Sequence, residues 1–302
     1  MKKLATALVS AAAIMTMSTT AFAAENPAEV FDRVMEKNNT IQSAEIQSGV
    51  HSVILAKDVI PDGQMKVDMA MHAEMDMQDT TDLKYLAQVA SSILGQDSYS
   101  QVFYTDGYYY VDANGVKLKY PMPLEQIISS VQTGVNTSNM ESSYMKGISL
   151  NEVNGKRVLA YEANPKKLNK NVKEALGTVM NTLGTDVNLD MNIQEMKGAY
   201  VLDDNDYIIY MTNYIVYNME VLDQPMTCIT LMETEVQNPG EPVVVTLPST
   251  DGYEDLIGLY DGVIERSRHT KSIYSLFLIF HCKSRAQRKN QSYGTKYTNV
   301  FH

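Results

Sequence analysis

The alternation of methionine with polar residues between positions 64 and 79 constrains the fold of this chain more than any other feature. Methionine, valine or alanine occupies every odd position from 65 to 77, and polar residues occupy the even positions except Ala70. A period of two sends the two sets to opposite faces of a strand, whereas a helix would scatter both around its circumference. The segment therefore predicts a long β-strand with one apolar and one polar face.

The use of methionine leaves two interpretations of the apolar face open. Valine and isoleucine form strands better, but methionine is flexible and polarizable and adapts to varied partners. The face can pack under a helix as ordinary core, or it can line a cavity for a hydrophobic ligand. One long strand can do both along its length.

The first 23 residues have the form of a secretory signal peptide. Two lysines precede a mostly apolar run, and Ala21-Phe22-Ala23 is an A-x-A cleavage site. We expect an exported protein, secreted or at the cell envelope, whose mature chain begins at Ala24. Because no cysteine lies at the cleavage site, a lipoprotein anchor is not expected.

The acidic charge of the chain is concentrated outside its C-terminal segment. The whole chain has 25 basic and 36 acidic side chains, a net charge of −11. Residues 261–302 contain eight Lys/Arg and two Asp/Glu, which leaves 17 basic and 34 acidic side chains elsewhere. Nucleic acid and anionic membranes repel so acidic a body, so neither is expected as a partner.

These boundaries divide the chain into a signal peptide (1–23), a body (24–250) and an atypical basic tail (251–302). The tail contains four of the six arginines and none of the 19 methionines. Three origins are open: a frameshift or read-through, which we favour as a hypothesis, a membrane-touching extension, or a disordered terminus. Leu247-Pro248-Ser249-Thr250 resembles a sortase motif but is followed by Asp251 instead of glycine, so wall anchoring is not expected.

Periodicity and capping predict four helices in the body. The first, residues 27–39, follows Asn26 as N-cap and has proline at its first position. Residues 81–94 carry Leu83, Leu86, Ala87 and other apolar residues at helical spacing. Residues 123–133 and 165–183 are the other two predicted helices.

Turn signals predict hairpins between the remaining segments. Asp106-Gly107, Asn114-Gly115 and Asn154-Gly155 each separate two β-prone runs. The acidic segment 203–206 lacks the glycine and the distant glutamate of a calcium loop, so it predicts a plain turn. Besides the methionine strand and the runs flanking these hairpins, strands are predicted at residues 44–58, 143–150, 156–164, 187–194, 207–220, 226–237 and 243–247.

This order predicts an α+β fold, with about ten antiparallel strands in one large curved sheet and helices covering its concave face. A body of this size does not need disulfides, so we expect Cys228 and Cys282 to be unpaired, with Cys228 a buried thiol on a strand.

Four segments resemble the LolA-like superfamily of extracytoplasmic lipoprotein and lipid carriers, including the LppX-type lipoproteins. They are YTDGYYYVDANGVKLKYPMP, VNGKRVLAYEAN, YVLDDNDYIIYM and NPGEPVVVTLP, and the resemblance extends over residues 27–248. It implies a half-barrel of antiparallel strands that helices close into a hydrophobic cavity for acyl chains.

The candidate ligand-binding residues are apolar or aromatic strand residues. They are Met65, Met69, Met71, Met75, Phe103, Tyr110, Leu189, Met191, Ile209 and Met211. Motifs of hydrolases, zinc proteases, dithiol oxidoreductases and P-loop enzymes are absent from the sequence, so no catalytic residue and no cofactor are expected. His72 is interpreted as a solvated partner of Glu74, and no metal site is expected.

The sequence therefore predicts an exported, non-enzymatic binding protein for a lipid or another hydrophobic molecule, expected to be a monomer. The alternative is an envelope regulatory or assembly protein that binds another protein through the same sheet.

Overall fold

In the computed structural model, residues 25–56, 60, 62–79, 83–124, 140–170, 191–221 and 224–255 are described. They form the helix α1 (Pro27–Asn38), a 3₁₀ turn (Ser142–Tyr144), a helical segment at 165–170 and twelve strands. The strands are β1 (Ser43–Leu55), β2 (Gln64–Asp76), β3 (Lys84–Ile93), β4 (Gln96–Thr105), β5 (Tyr108–Ala113), β6 (Val116–Pro121), β7 (Met145–Val153), β8 (Lys156–Ala163), β9 (Met191–Leu202), β10 (Ile208–Val221), β11 (Gln224–Gln237) and β12 (Glu254–Asp255).

All twelve strands belong to one sheet, in the order β12-β6-β5-β4-β3-β2-β1-β11-β10-β9-β8-β7. Every neighbouring pair is antiparallel except β12, which runs parallel to β6. The prediction of a large antiparallel sheet is confirmed, with twelve strands instead of about ten. The predicted cover of helices is not seen among the described residues, where α1 packs against one end of the sheet.

The methionine strand is confirmed as β2. It pairs with β1 without interruption from Ser43 opposite Asp76 to Leu55 opposite Gln64, and with β3 on its other side. In this register each apolar residue of β2 shares a face with its direct partners in β1 and β3.

The predicted helix at residues 81–94 is wrong, because this segment contains the strand β3. Leu86 and Ala87 are both buried, but they point to opposite faces and belong to different core clusters. A strand that is buried on both faces shows no polar alternation, and here its apolar residues imitate helical spacing.

The predicted strand at residues 243–247 is also wrong, because no ladder pairs it with the sheet. This segment and the residues up to Tyr253, which we call the strap, lie against β3, β4 and β5, and Val245 is buried beside Leu86, Phe103 and Tyr110. The Tyr253 ring meets the stacked rings of Phe103 and Tyr110 edge-on.

Three further predictions reach beyond the described residues. The helix at 123–133 falls almost entirely outside them. Of the helix at 165–183, residues 165–170 are described and are helical. Of the strand at 187–194, residues 191–194 lie in β9.

The helix α1 forms as its sequence predicts. The Asn26 side chain accepts a hydrogen bond from the Ala28 amide and caps the first turn. Val30, Phe31 and Val34 are fully buried in a cluster with residues of β7, β8, β9 and β10. The tertiary contacts of these three apolar side chains therefore hold a helix of only 12 residues in place.

A single carboxylate connects α1 to the sheet. Arg33 of α1 donates to Asp206 at 2.9 Å, and Arg157 of β8 donates to the other oxygen of the same carboxylate. Asn38 of α1 donates to the Asp206 carbonyl at 3.0 Å and accepts from the Ile208 amide at 2.9 Å. The turn at 203–206 therefore joins the helix to the β9–β10 hairpin.

We expect Asp206→Asn to destabilise the fold in a pH-dependent way. Burial alone would raise the pKa of Asp206, but the hydrogen bonds from Arg33 and Arg157 outweigh it, and the pKa is lowered. The stabilisation is therefore present above the unfolded-state pKa of about 3.9 and is lost as the pH falls through the lower folded-state pKa. Urea denaturation at pH 7 should show a loss of about 1–2 kcal/mol, shrinking below about pH 3.

The exposed Asp204 of the same turn supplies the control. Asp204→Asn should leave stability at pH 7 within about 0.5 kcal/mol of the parent. An Asp206→Asn loss of equal size at pH 7 and at low pH would show that the carboxylate charge is not what stabilises this junction.

The β3–β4 turn, which was not predicted, differs from the three predicted hairpin turns in its first residue, and we expect Leu94→Asn to stabilise the protein. Asp106, Asn114 and Asn154 have φ near +50°, each followed by glycine, as two-residue hairpin turns require. Leu94 has the same conformation, with φ of 52°, and is 68 % exposed. Asparagine tolerates this backbone better, so thermal denaturation should show a gain of about 0.5–1 kcal/mol.

The reverse change at an equivalent position is the control for Leu94. Asn154→Leu should lower stability by about 1 kcal/mol, because it places leucine in the left-handed region. A loss of stability in Leu94→Asn would mean that the leucine side chain makes a stabilising contact that outweighs its backbone strain.

Candidate functional site

The register gathers the apolar side chains of the central strands on one face, which we call the methionine face. It consists of the odd residues of β2 and β10 and the even residues of β1 and β11, with their partners in β3 and β9. Methionines recur along it on four strands: Met65, Met69, Met71, Met75, Met191, Met196, Met211, Met219, Met226 and Met232.

Burial changes along the methionine face from one end of the strands to the other. Met75 at the end of β2 is 1 % exposed and lies in a core cluster with Ile46 and Val236. Met69, six residues earlier on the same face, is 40 % exposed. Met65 and Val67 are half-buried. The face is therefore ordinary core at one end and solvent-accessible apolar surface at the other.

Hydroxyl pairs interrupt the methionine face without leaving polar groups unpaired. Ser48 and Thr234, directly opposite each other, hydrogen-bond at 2.7 Å, and Ser52 and Thr230 do the same at 2.9 Å. Val50 lies between these pairs, opposite Met232. Because each hydroxyl has a partner on the neighbouring strand, apolar atoms can pack on this surface without leaving a hydroxyl group unpaired.

Four tyrosines form a row on the same face across β3, β4, β5 and β6. Tyr85 lies opposite Tyr104, Tyr104 opposite Tyr109, and Tyr109 opposite Tyr120. Burial raises the pKa of Tyr85, Tyr109 and Tyr120. These hydroxyls are therefore neutral at physiological pH and can act as hydrogen-bond donors beside the apolar surface.

Under α1 the methionine face contains a buried polar contact. The Tyr161 hydroxyl donates to the Asn213 side-chain oxygen, and the Phe31 ring meets the Tyr161 ring edge-on at 5.8 Å. Burial raises the pKa of Tyr161 well above its usual value and that of Tyr200 to about 12. Because Gly198 has no side chain, the Tyr161–Asn213 pair can occupy the space directly beside its backbone.

The structure brings together some of the predicted ligand-binding residues and separates others. Met65, Met69, Met71, Met75, Met191 and Met211 share the methionine face. Phe103 and Tyr110 lie on the opposite face, buried beneath the strap, so they cannot line one surface with the methionines. Ile209 lies at the irregularity between Ile208 and Tyr210, and Leu189 lies outside the described residues.

The prediction missed Met219, Met226 and Met232 on β10 and β11. Their signal was present, because the even positions of β11 read Met, Cys, Thr, Met, Thr and Val from 226 to 236. The threonines concealed this apolar alternation, since a sequence does not show that each one finds a hydroxyl partner across the ladder.

The polar face carries the two histidines of the described strands, each beside carboxylates. His72 contacts Glu74 at 3.1 Å and approaches Glu45 at 3.8 Å, and His51 contacts Asp68 at 2.7 Å. The His72–Glu74 pair is confirmed as predicted. Across the described ranges, no group of three or more His, Cys, Asp or Glu residues is arranged to hold a metal ion. Among the helices of the described residues, none is long and apolar enough to span a bilayer.

Comparison with known proteins gives one family match over most of the chain and weak matches to solved structures. A family model described as "Family of unknown function (DUF6612)" matches residues 26–248. No curated protein matches the chain.

Two of the solved structures that match the chain do so at low similarity. The crystal structure of LprF from Mycobacterium bovis is 10 % identical, with a TM-score of 0.32, over 74 % of this chain and 97 % of that one. The crystal structure of a "Beta-barrel-like Protein of Domain of Unknown Function DUF1849" from Brucella abortus is 11 % identical, with a TM-score of 0.23, over 66 % of this chain and 100 % of that one. Similarities of this size carry no argument about function.

We expect Gly198→Ala to destabilise the protein by about 1–3 kcal/mol, measured by urea denaturation. The added carbon would lie 2.5 Å from both the Thr212 carbonyl oxygen and the Asn213 side-chain oxygen. The backbone carbonyl cannot move aside without disturbing the β9–β10 ladder. Gly147→Ala is the control, because a carbon added there has no atom within 4 Å. Equal stabilities of the two variants would contradict the tight packing at Gly198.

Proposed function

The chain belongs to the family of unknown function DUF6612, and we propose that it is an exported, non-enzymatic protein that binds a hydrophobic molecule, such as a lipid or an acylated compound, on the methionine face. The observation that carries this proposal is the exposure of that face away from α1. Met69 is 40 % exposed, and Val50, Met232 and Ile215 on neighbouring strands are half-buried. A contiguous apolar surface of this kind is typical of a binding surface.

The chemistry of the methionine face suits acyl chains better than a ligand of fixed shape. Methionine side chains adjust to irregular apolar partners at low cost. The hydroxyls of Ser48 and Ser52 are already hydrogen-bonded to those of Thr234 and Thr230, so they do not require a polar group on the ligand. In the tyrosine row at β3–β6, Tyr85, Tyr109 and Tyr120 add neutral donors, which could hydrogen-bond a polar head group. The proposed ligand therefore has an apolar body and a polar end that accepts hydrogen bonds.

The charge of the chain narrows the class of ligand. Outside the C-terminal segment the protein is strongly acidic, and the polar face of the central strands carries Glu45, Asp68, Glu74, Glu233 and Glu235. Long-range repulsion disfavours polyanions and anionic membrane surfaces. We propose a neutral or weakly charged amphipath, bound by a monomer.

The test has two parts, beginning with the protein as secreted by its own cells. Native mass spectrometry and solvent extraction of the purified chain should reveal a co-purifying apolar molecule in stoichiometric amount. A fluorescent fatty-acid analogue should then bind the delipidated protein and be displaced by the extract. A protein that purifies free of ligand and does not bind the analogue would overturn the proposal, and a stable protein partner in pull-down would then favour a protein-binding role.

A matched pair of variants locates the binding surface. Met69 on the methionine face is 40 % exposed and Leu55 on the polar face is 38 % exposed. Met69→Gln should weaken binding of the analogue about fivefold, the factor that corresponds to roughly 1 kcal/mol of lost apolar contact. Leu55→Gln removes similar apolar surface from the other face and should leave binding unchanged. Equal effects of the two variants would mean that binding is not confined to the methionine face.

A further inference from the structure

Three methionines lie opposite one another on neighbouring strands at the end of the methionine face where Met65 also lies. Met226 of β11 lies directly opposite Met219 of β10, and Met219 lies directly opposite Met191 of β9. These three methionines, which we call the sulfur row, share one face of three adjacent strands. Directly opposite residues have Cβ atoms about 4.5–5.5 Å apart, so these long flexible side chains can bring their thioethers together.

A thiol lies beside the sulfur row. Cys228 is two residues from Met226 on the same face of β11, and its Sγ lies 3.7 Å from the Met219 Sδ. Two sulfurs bound tetrahedrally to one metal at about 2.3 Å are about 3.8 Å apart. The observed sulfur–sulfur distance is therefore compatible with two ligands on one ion.

We propose that Cys228 and the sulfur row form a site for a soft monovalent metal ion, copper(I) or its analogue silver(I). Thiolate and thioether ligands select copper(I), whereas magnesium, calcium and manganese prefer oxygen. Glu220, the neighbour of Met219 in sequence, lies on the opposite face of β10, so its carboxylate does not join the sulfurs. This inference does not depend on the proposed binding of a hydrophobic molecule.

Access and charge are both compatible with this site. Cys228 is 1 % exposed, but the three methionines are half-buried, so an ion can reach the cluster through the thioethers. Binding as thiolate replaces the S–H bond with a sulfur–metal bond and releases the proton to water, with no change in oxidation state. The resulting complex of one monovalent cation and one thiolate is neutral, which suits an apolar surface.

The test is a competition titration of the full-length mature protein with copper(I) and bicinchoninate under anaerobic conditions. The parent protein should withdraw one equivalent of copper(I) from the chelator. Replacing the sulfur row with leucine should weaken copper(I) binding by more than the roughly 10–100-fold typical of lost second-shell groups. Leucine conserves the methionine volume, and the thermal denaturation midpoint of the variant confirms that it is folded.

The matched control removes the same number of methionines from β2, which β1 separates from β11 and Cys228, by Met65→Leu, Met69→Leu and Met71→Leu together. This variant should bind copper(I) like the parent. Cys228→Ala should lower the affinity and abolish the proton release that accompanies uptake. The proposal is overturned if the parent does not compete for copper(I), or if the two triple variants lose affinity equally, which would show non-specific methionine binding.

Discussion

The antiparallel pairing from β7 to β6 is the constraint on which the rest of this structure depends. Because side chains alternate with a period of two, the register of each ladder decides which residues share a face, and it is interrupted only at irregularities in the β7–β8 and β9–β10 ladders among the described strands. β1 holds the centre, with β2 on one side and β11 on the other along most of its length. A slip of one residue at β1 would put the methionines of β2 and β11 on opposite faces, and no common apolar surface would remain.

Local signals in the sequence predict a large part of this fold. The alternation in β2, the cap of α1 and the Asp-Gly or Asn-Gly turns are short-range features that need no knowledge of tertiary contacts. The partner strands of β1 could not be predicted in the same way. Its pairing with β11 joins segments about 180 residues apart, and neither segment contains a local sequence signal that identifies the other as its partner. Topology of this kind follows from the cooperative packing of the whole sheet.

The errors have a common physical origin in the second face of the sheet. β3 is apolar on both sides because Ala87 faces the core beside Met75, while Leu86 faces the strap. The same face also contains Phe103 and Tyr110, which were predicted to bind ligand. Their aromatic rings pack against the strap instead. The predicted sheet has one apolar and one polar face, which holds at β1, β2 and β11 but not at β3, β4 and β5.

Methionines and aromatic residues occupy different regions of the sheet, and the difference follows from what packs against each region. Where the sheet meets a fixed partner, as under α1 or the strap, the contacts come from Phe31, Phe103, Tyr110 and Tyr161, whose rigid rings pack in defined geometries. Where the described sheet is half-exposed, methionine replaces them. A rigid ring gains most from a partner of fixed shape, whereas methionine gains from a variable one. This change of residue type separates the parts of the sheet that pack against α1 and the strap from the half-exposed part of the methionine face.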